Sequence, residues 1–343
     1  MLAGCGSEQR APDQGAAEQN AAKESTSEKK STPPKKPPPP AEPAEAPPPE
    51  KELAGKVIDL GDSPEGIVAD PDTGLVAVGL RNPDELALVD GESGEVVRKV
   101  ELPESPRHLE IAAPGGPVLV PAERSNSLVQ VSLPDGEIVS ETKVGIVPHD
   151  AAASSGGRIF VANEFGNTTS VIEDGRETEK IETPLSPGGV AVTPEGLVGV
   201  VTVRGLTLEV FEADTLKSLG RIDAGEGPTH VVAGPENRFY VTDTRGGALL
   251  VYEARPELEQ LGRVSLPGGS PYGIAIDPER NHLWVTLTAE NRVVQFDLDE
   301  SPPREIASYP TVRRPNSVTV NPESGRVFIA GATDGRLQIL DPR

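Results

Sequence analysis

From residue 56 to the end of the chain the apolar residues fall in short alternating runs, the period-2 pattern of half-buried strands. Seven of these runs start just after a proline, at Pro64, Pro106, Pro148, Pro187, Pro228, Pro271 and Pro315, at intervals of 42, 42, 39, 41, 43 and 44 residues. Aligned on that proline, the copies read PEGIVADP, PRHLEIAA, PHDAAASS, PGGVAVTP, PTHVVAGP, PYGIAIDP and PNSVTVNP. Each then supplies a second run (Phe239 to Val241, for example), a third such as ALLVYEA, and a weaker fourth such as GRVSLP. Four short antiparallel strands in about 42 residues make a propeller blade. The expected fold is all-β, a seven-bladed β-propeller of four-stranded antiparallel blades. The seventh copy ends after three strands, and the unassigned run 56–60 precedes the first proline. The N-terminal strand is therefore expected to complete the last blade and leave no open sheet edge.

The chain before that strand behaves differently. Between Gly6 and Glu50 there is no Val, Ile, Leu, Phe, Tyr, Trp or Met, so the segment has nothing of its own to bury. Ten of the seventeen residues from 33 to 49 are proline, which predicts an extended spacer of roughly 3.1 Å per residue. The expected organisation is residues 1–5 as the remnant of a lipoprotein signal, 6–52 as a disordered proline-rich tether, and 53–343 as the propeller. Of 54 acids and 32 bases, eight and six lie before residue 51, so most of the net charge of −22 sits on the repeats. Such a surface argues against nucleic-acid binding, which requires a basic face.

Cys5 is the only cysteine, so no internal disulfide and no cysteine-based metal cluster is available. Its setting, Leu2-Ala3-Gly4-Cys5-Gly6-Ser7, resembles the bacterial lipobox, in which the cysteine is lipidated. Only four residues precede it, so either translation starts further upstream, as the resemblance implies, or LAGC is a coincidence at the start of a cytoplasmic protein. The resemblance also implies a protein anchored to the cell membrane through Cys5 and facing the extracytoplasmic side, in the periplasm or at the cell surface.

The aligned copies resemble the YVTN repeat family of bacterial seven-bladed propellers. Tyr240-Val241-Thr242-Asp243 keeps the family's name segment, and PHDAAASSGGRIFVANEFGNTTSVIEDG is the copy nearest the wider consensus. The resemblance implies a fold shared by surface proteins, lactonases and lyases, and leaves the function open.

In such propellers the first strand of each blade is innermost, so the residue after each proline rings one mouth of the channel: Glu65, Arg107, His149, Gly188, Thr229, Tyr272 and Asn316. The next position adds His108, Asp150 and His230. The loops after the second strands add Glu123, Glu164, Asp243 and Arg245, with Arg81 and Arg204 among others. One reading of this set is a site for a divalent metal ion on His108, His149 and His230, with neighbouring carboxylates as acid or base. The other is that these polar groups tie adjacent blades together. No GxSxG elbow, CxxCH or phosphate-cradling glycine loop occurs. The leading expectation is a monomeric, non-catalytic surface lipoprotein whose propeller binds a partner protein, glycan or small molecule. The alternative is a metal-dependent hydrolase of the lactonase type, or a lyase.

Overall fold

The computed structural model describes residues 36–342. Cys5 and the lipobox lie outside them. Twenty-eight strands form seven separate four-stranded antiparallel sheets, and among the described residues there is no helix. Blades 1 to 6 span 62–101, 110–143, 148–182, 187–223, 228–265 and 271–310. Blade 7 combines 315–340 with the N-terminal strand Lys56–Asp59, which pairs with Arg336–Leu340 in the register Lys56↔Ile339 to Asp59↔Arg336. The closure expected from the repeat count is the one observed.

The core is seven apolar clusters, one at each blade-to-blade interface, and the one that shuts the ring is built like the rest. There Leu60, Ile67, Val76, Val78 and Val89 pack against Phe328, Ala330, Leu337 and Ile339. Aromatic side chains are concentrated in these interfaces: Phe160, Phe211, Phe239, Tyr240, Tyr252, Trp284, Phe296 and Phe328 are all fully buried.

The motif proline shapes the channel mouth. Proline has no N–H to give to the ladder, and in six blades the innermost pair slips register right after it, as between Pro64 and Ile67 and between Pro271 and Ile274. A bulge turns side chains that would alternate onto one side. In blade 3 this brings the successive residues His149 and Asp150 to the channel. In blade 2 the effect goes further: the inner strand shrinks to Glu110–Ile111, with Pro106 joined to Ala122 by a lone bridge.

One expectation fails in part. Residues 37–49 belong to the compact unit formed with the propeller and lie on its loop face, with Ala41 and Ala46 buried. The segment lacks apolar bulk, yet its carbonyl oxygens find donors on the propeller, so at least this part of the proline-rich region is docked.

Candidate functional site: the channel mouth and lumen

Because equivalent positions of neighbouring blades lie side by side, residues 42 apart meet. Arg107 donates to Glu65 (3.0 Å), and Arg81 donates to Glu123 (3.0 Å). Arg81 also approaches Glu65 at 3.8 Å, and Arg107 approaches Glu123 at 4.0 Å. Two guanidiniums and two carboxylates thus alternate across blades 1 and 2, each side chain 19–26% exposed. Burial opposes the charge on Arg107, and Glu65 and Glu123 outweigh it. Beside this ring lies a polar depression of about 310 Å³ that Glu65, Arg81, Asp84, Ser105 and Arg124 line.

The chain of contacts continues round the mouth. Arg107 Nη2 donates to His149 Nε2 at 2.7 Å, and His149 Nδ1 donates to the Gly188 carbonyl at 2.6 Å. Those two bonds define the tautomer: Nδ1 carries the proton and Nε2 is the acceptor. One layer deeper, His108 Nε2 and His230 Nε2 are 3.1 Å apart, and the His108 ring packs tilted against His149 and edge-on against His230 with centroid separations of 4.7 and 4.4 Å. Tyr272 packs edge-on against His230 at 4.6 Å. Burial holds His108 well below the usual histidine range, helped by His230, His149 and Arg107, and does the same to His149, helped by Arg107 and His230; burial and Arg107 bring His230 down to about 4. All three are neutral at pH 7. Burial also raises the Tyr272 phenol and the Glu164 carboxyl, the latter against the pull of Arg107.

Below the histidines the channel widens into a cavity of about 470 Å³ walled mostly by Val, Ile and Ala of the inner strands, with His108 and His230 at its upper end. Two acids line it. Asp150 accepts from the Val190 N–H (3.0 Å) and the Ala151 N–H (2.9 Å), and burial, with Glu110 adding to it, pushes its carboxyl up to about 7. Glu110 lines the lumen with its side chain open to the cavity, and the surrounding channel wall pushes its carboxyl up to about 7.

The structure brings Glu65, Arg107, His108, His149, Asp150, His230, Tyr272, Glu123 and Glu164 to the mouth and upper lumen. Asn316 is there too, buried, its Nδ2 donating to the Pro64 carbonyl at 3.4 Å while Oδ1 lacks a partner. Asp243 serves otherwise: it is 2% exposed and its Oδ1 accepts from the N–H groups of Glu226, Gly227 and Gly246, a staple for its loop. Arg245 stands at the outer face, donating to Glu226 and Pro39 carbonyls. Glu110 was missed by sequence reasoning, although an acid at an inner-strand position of PRHLEIAA is itself a signal.

A divalent ion fits the three histidines poorly as they stand. His149's only free lone pair already accepts from a guanidinium, and no group of three or more His, Cys, Asp or Glu among the described residues is placed to hold an ion.

No family model and no curated protein matches the sequence. Among solved structures, a chain of hydrazine synthase from Kuenenia stuttgartiensis superimposes with a TM-score of 0.73 at 19% identity, over 85% of this chain and 97% of that one. Virginiamycin B lyase from Staphylococcus aureus gives 0.71 at 15% identity, over 85% and 100%. The β-propeller domain of Cps50 (Swd1) from Myceliophteria thermophila gives 0.70 at 11% identity, over 84% and 100%. At such identities the likeness is one of fold, and with the seven closed sheets it establishes the chain as a β-propeller.

Proposed function

We propose that this protein is a binding propeller whose ligand seats at the channel mouth over blades 1 and 2. The observation that carries this reading is the Arg81, Glu65, Arg107 and Glu123 ring beside its polar depression. These charges are half-solvated and held in place by one another, so a ligand meets preorganised donors and acceptors. Among the described residues no serine, threonine or cysteine side chain hydrogen-bonds a ring nitrogen of the neutral histidines, whose partners are Arg107, the Gly188 carbonyl and each other. With eight of the eleven aromatic residues fully buried, stacking on extended sugar chains is disfavoured. The YVTN-like repeats and the lipobox-like LAGC support a lipid-anchored protein on the extracytoplasmic side; Cys5→Ser should then release the protein from the membrane fraction.

The second reading is a lactonase-type hydrolase or a lyase. Its support is the pair of neutral imidazoles at 3.1 Å above a cavity bearing two protonatable carboxyls. A thermal-shift panel of carboxylates, amines, peptides and oligosaccharides on the full chain separates the two, run beside elemental analysis of protein purified without chelator. A stabilising ligand whose effect disappears in Arg81→Ala supports binding. One divalent ion per chain, lost in the His108→Gln, His149→Gln, His230→Gln triple variant, promotes the hydrolase.

A further inference from the structure

Residues 37–49 cross the loop face past blades 4, 5, 6 and 7, and midway Glu42 comes within electrostatic reach of Arg107 and Glu65 of the charged ring. Nearly every contact is a propeller side chain donating to a main-chain carbonyl. Arg204 Nε reaches the Pro38 oxygen (3.4 Å) and Arg245 Nη2 that of Pro39 (2.9 Å). Arg314 spans the oxygens of Pro43 (3.3 Å) and Ala44 (3.2 Å), Arg313 Nε reaches that of Ala46 (2.7 Å), and Asn291 Nδ2 that of Pro47 (2.8 Å). The single backbone donor used, the Ala44 N–H, finds Thr288 Oγ1 at 3.0 Å. One ion pair joins Arg314 to Glu45 at 3.0 Å.

The fit is chemical. A proline-rich strand offers carbonyl acceptors and almost no N–H donors, and its extended form is already ordered before binding. A face of guanidiniums and one amide offers donors in excess. The propeller holds several of these groups itself. Arg245 Nη1 is tied to the Glu226 carbonyl, Thr288 donates to the Ser270 carbonyl, and Asn291 accepts from the Arg314 N–H. Two small seats complete the surface. Ala46 is 4% exposed and Ala41 is 8% exposed, and a Cβ placed on Gly227 would stand 3.1 Å from the Ala41 methyl.

We propose that the loop face of blades 4–7 is a reader of extended proline-rich strands. Its own residues 37–49 occupy it in cis, and a partner protein's strand of the same chemistry, rich in proline with two alanines five apart and two acids between them, takes their place. The proposal goes beyond the ligand at the charged ring: it adds a second binding surface, on blades 4–7, and gives the chemistry of its partner. The neighbouring surface extends the path: Leu185, beside the Arg204 loop, Ile146, in the connection between blades 2 and 3, and Phe165 of blade 3 are 47%, 57% and 61% exposed.

The test uses the full chain, a full chain whose residues 37–49 are replaced by a Gly/Ser sequence of equal length, and a labelled synthetic peptide of residues 37–49. The peptide should bind the replaced chain saturably. Binding to the native chain should be at least about tenfold weaker, because the tethered copy competes at high effective concentration. Peptide with Ala41→Leu and Ala46→Leu, or replaced chain with Arg313→Ala and Arg314→Ala, should lose tenfold or more. A replaced chain that melts like a folded propeller yet takes up no peptide overturns the proposal, and so does equal binding to both chains. Dimers of the native chain that the replacement abolishes would make a second copy the occupant and overturn the foreign partner. Because Glu42 lies within reach of Arg107 and Glu65, the Arg81-dependent ligand is assayed on the native chain alone, where the strand stays in place, so the two readings fail separately.

Discussion

Asp150→Asn should change the sign of its effect across a few pH units. In the folded chain the Asp150 carboxyl sits in the lumen beside Glu110 and titrates at about 7; in the unfolded chain it titrates near 4. Between those values the native state holds a proton that the unfolded state has lost, so stability falls as pH rises through the window and levels off above it. The full difference amounts to about 4 kcal/mol between pH 4 and pH 8; water in the lumen screens it, and about 2 kcal/mol is a fairer expectation. Asparagine does not titrate. It keeps one acceptor where the carboxyl used two, for the Val190 and Ala151 N–H groups, and leaving one buried donor unpaired costs about 1–2 kcal/mol at every pH. The variant should therefore be the less stable protein at pH 4.5 and should match or exceed the native chain at pH 8. Glu110 titrates in both, so the difference between their urea midpoints, measured at half-unit steps, reports Asp150 together with its coupling to Glu110. Two parallel curves would refute the placement of this carboxyl in a low-dielectric lumen.

Three further outcomes follow from the same geometry. Leu60→Ala removes a side chain that is 4% exposed in the interface closing blade 7 on blade 1, and should cost about 2–4 kcal/mol, read as a lower melting temperature; an unchanged melt would deny that this interface closes the ring. Gly66→Ala would bring a methyl 2.2 Å from the Arg107 carbonyl oxygen and 2.8 Å from the Leu109 nitrogen, so it should prevent blades 1 and 2 from docking, whereas Gly156→Ala, with nothing nearer than 3.7 Å, should be silent; equal melting temperatures would refute the close approach. Arg107→Met removes the cation that lowers all three mouth histidines, so the His149 and His230 ring protons should titrate at higher pH by NMR, and unmoved curves would contradict the contact.

What the sequence made legible is what the repeat encodes. A proline every 42 residues or so marks the blades, and the same spacing pairs Glu65 with Arg107, Arg81 with Glu123 and Arg107 with His149, since each pair occupies one motif position in adjacent blades. The unpaired run 56–60 and the short seventh copy together implied the closing strand Lys56–Asp59. What stayed hidden involves contacts that no side-chain pattern spells out. Residues 37–49 bind through main-chain oxygens, so nothing in their composition separates a docked strand from a free spacer; the information lies in Arg204, Arg245, Arg313 and Arg314, scattered over 110 residues of other blades. Asp243 lines up with mouth residues by position, but three backbone N–H groups converge on its carboxylate and turn it into a loop staple.

The two halves of the face also differ in how they should respond to salt. Four arginines on a chain of net charge −22 have many acids to pair with, yet on blades 4–7 they point at neutral carbonyl dipoles, and only Arg314 meets a strand acid. Attraction between a guanidinium and a neutral oxygen is short-ranged and little screened, and one exposed ion pair contributes about 0–1 kcal/mol, the part salt removes. Affinity of the replaced chain for the peptide of residues 37–49 should therefore fall by no more than about threefold to fivefold between 50 mM and 500 mM salt. Glu45→Gln in the peptide should flatten even that slope, because it deletes the partner of Arg314 without disturbing a carbonyl contact. A charged ligand over the Arg81 and Arg107 ring, where both signs are fixed and only part-buried, should show the steeper dependence. A peptide whose binding collapses with salt would mean that its acids, and not its backbone oxygens, are what the face reads.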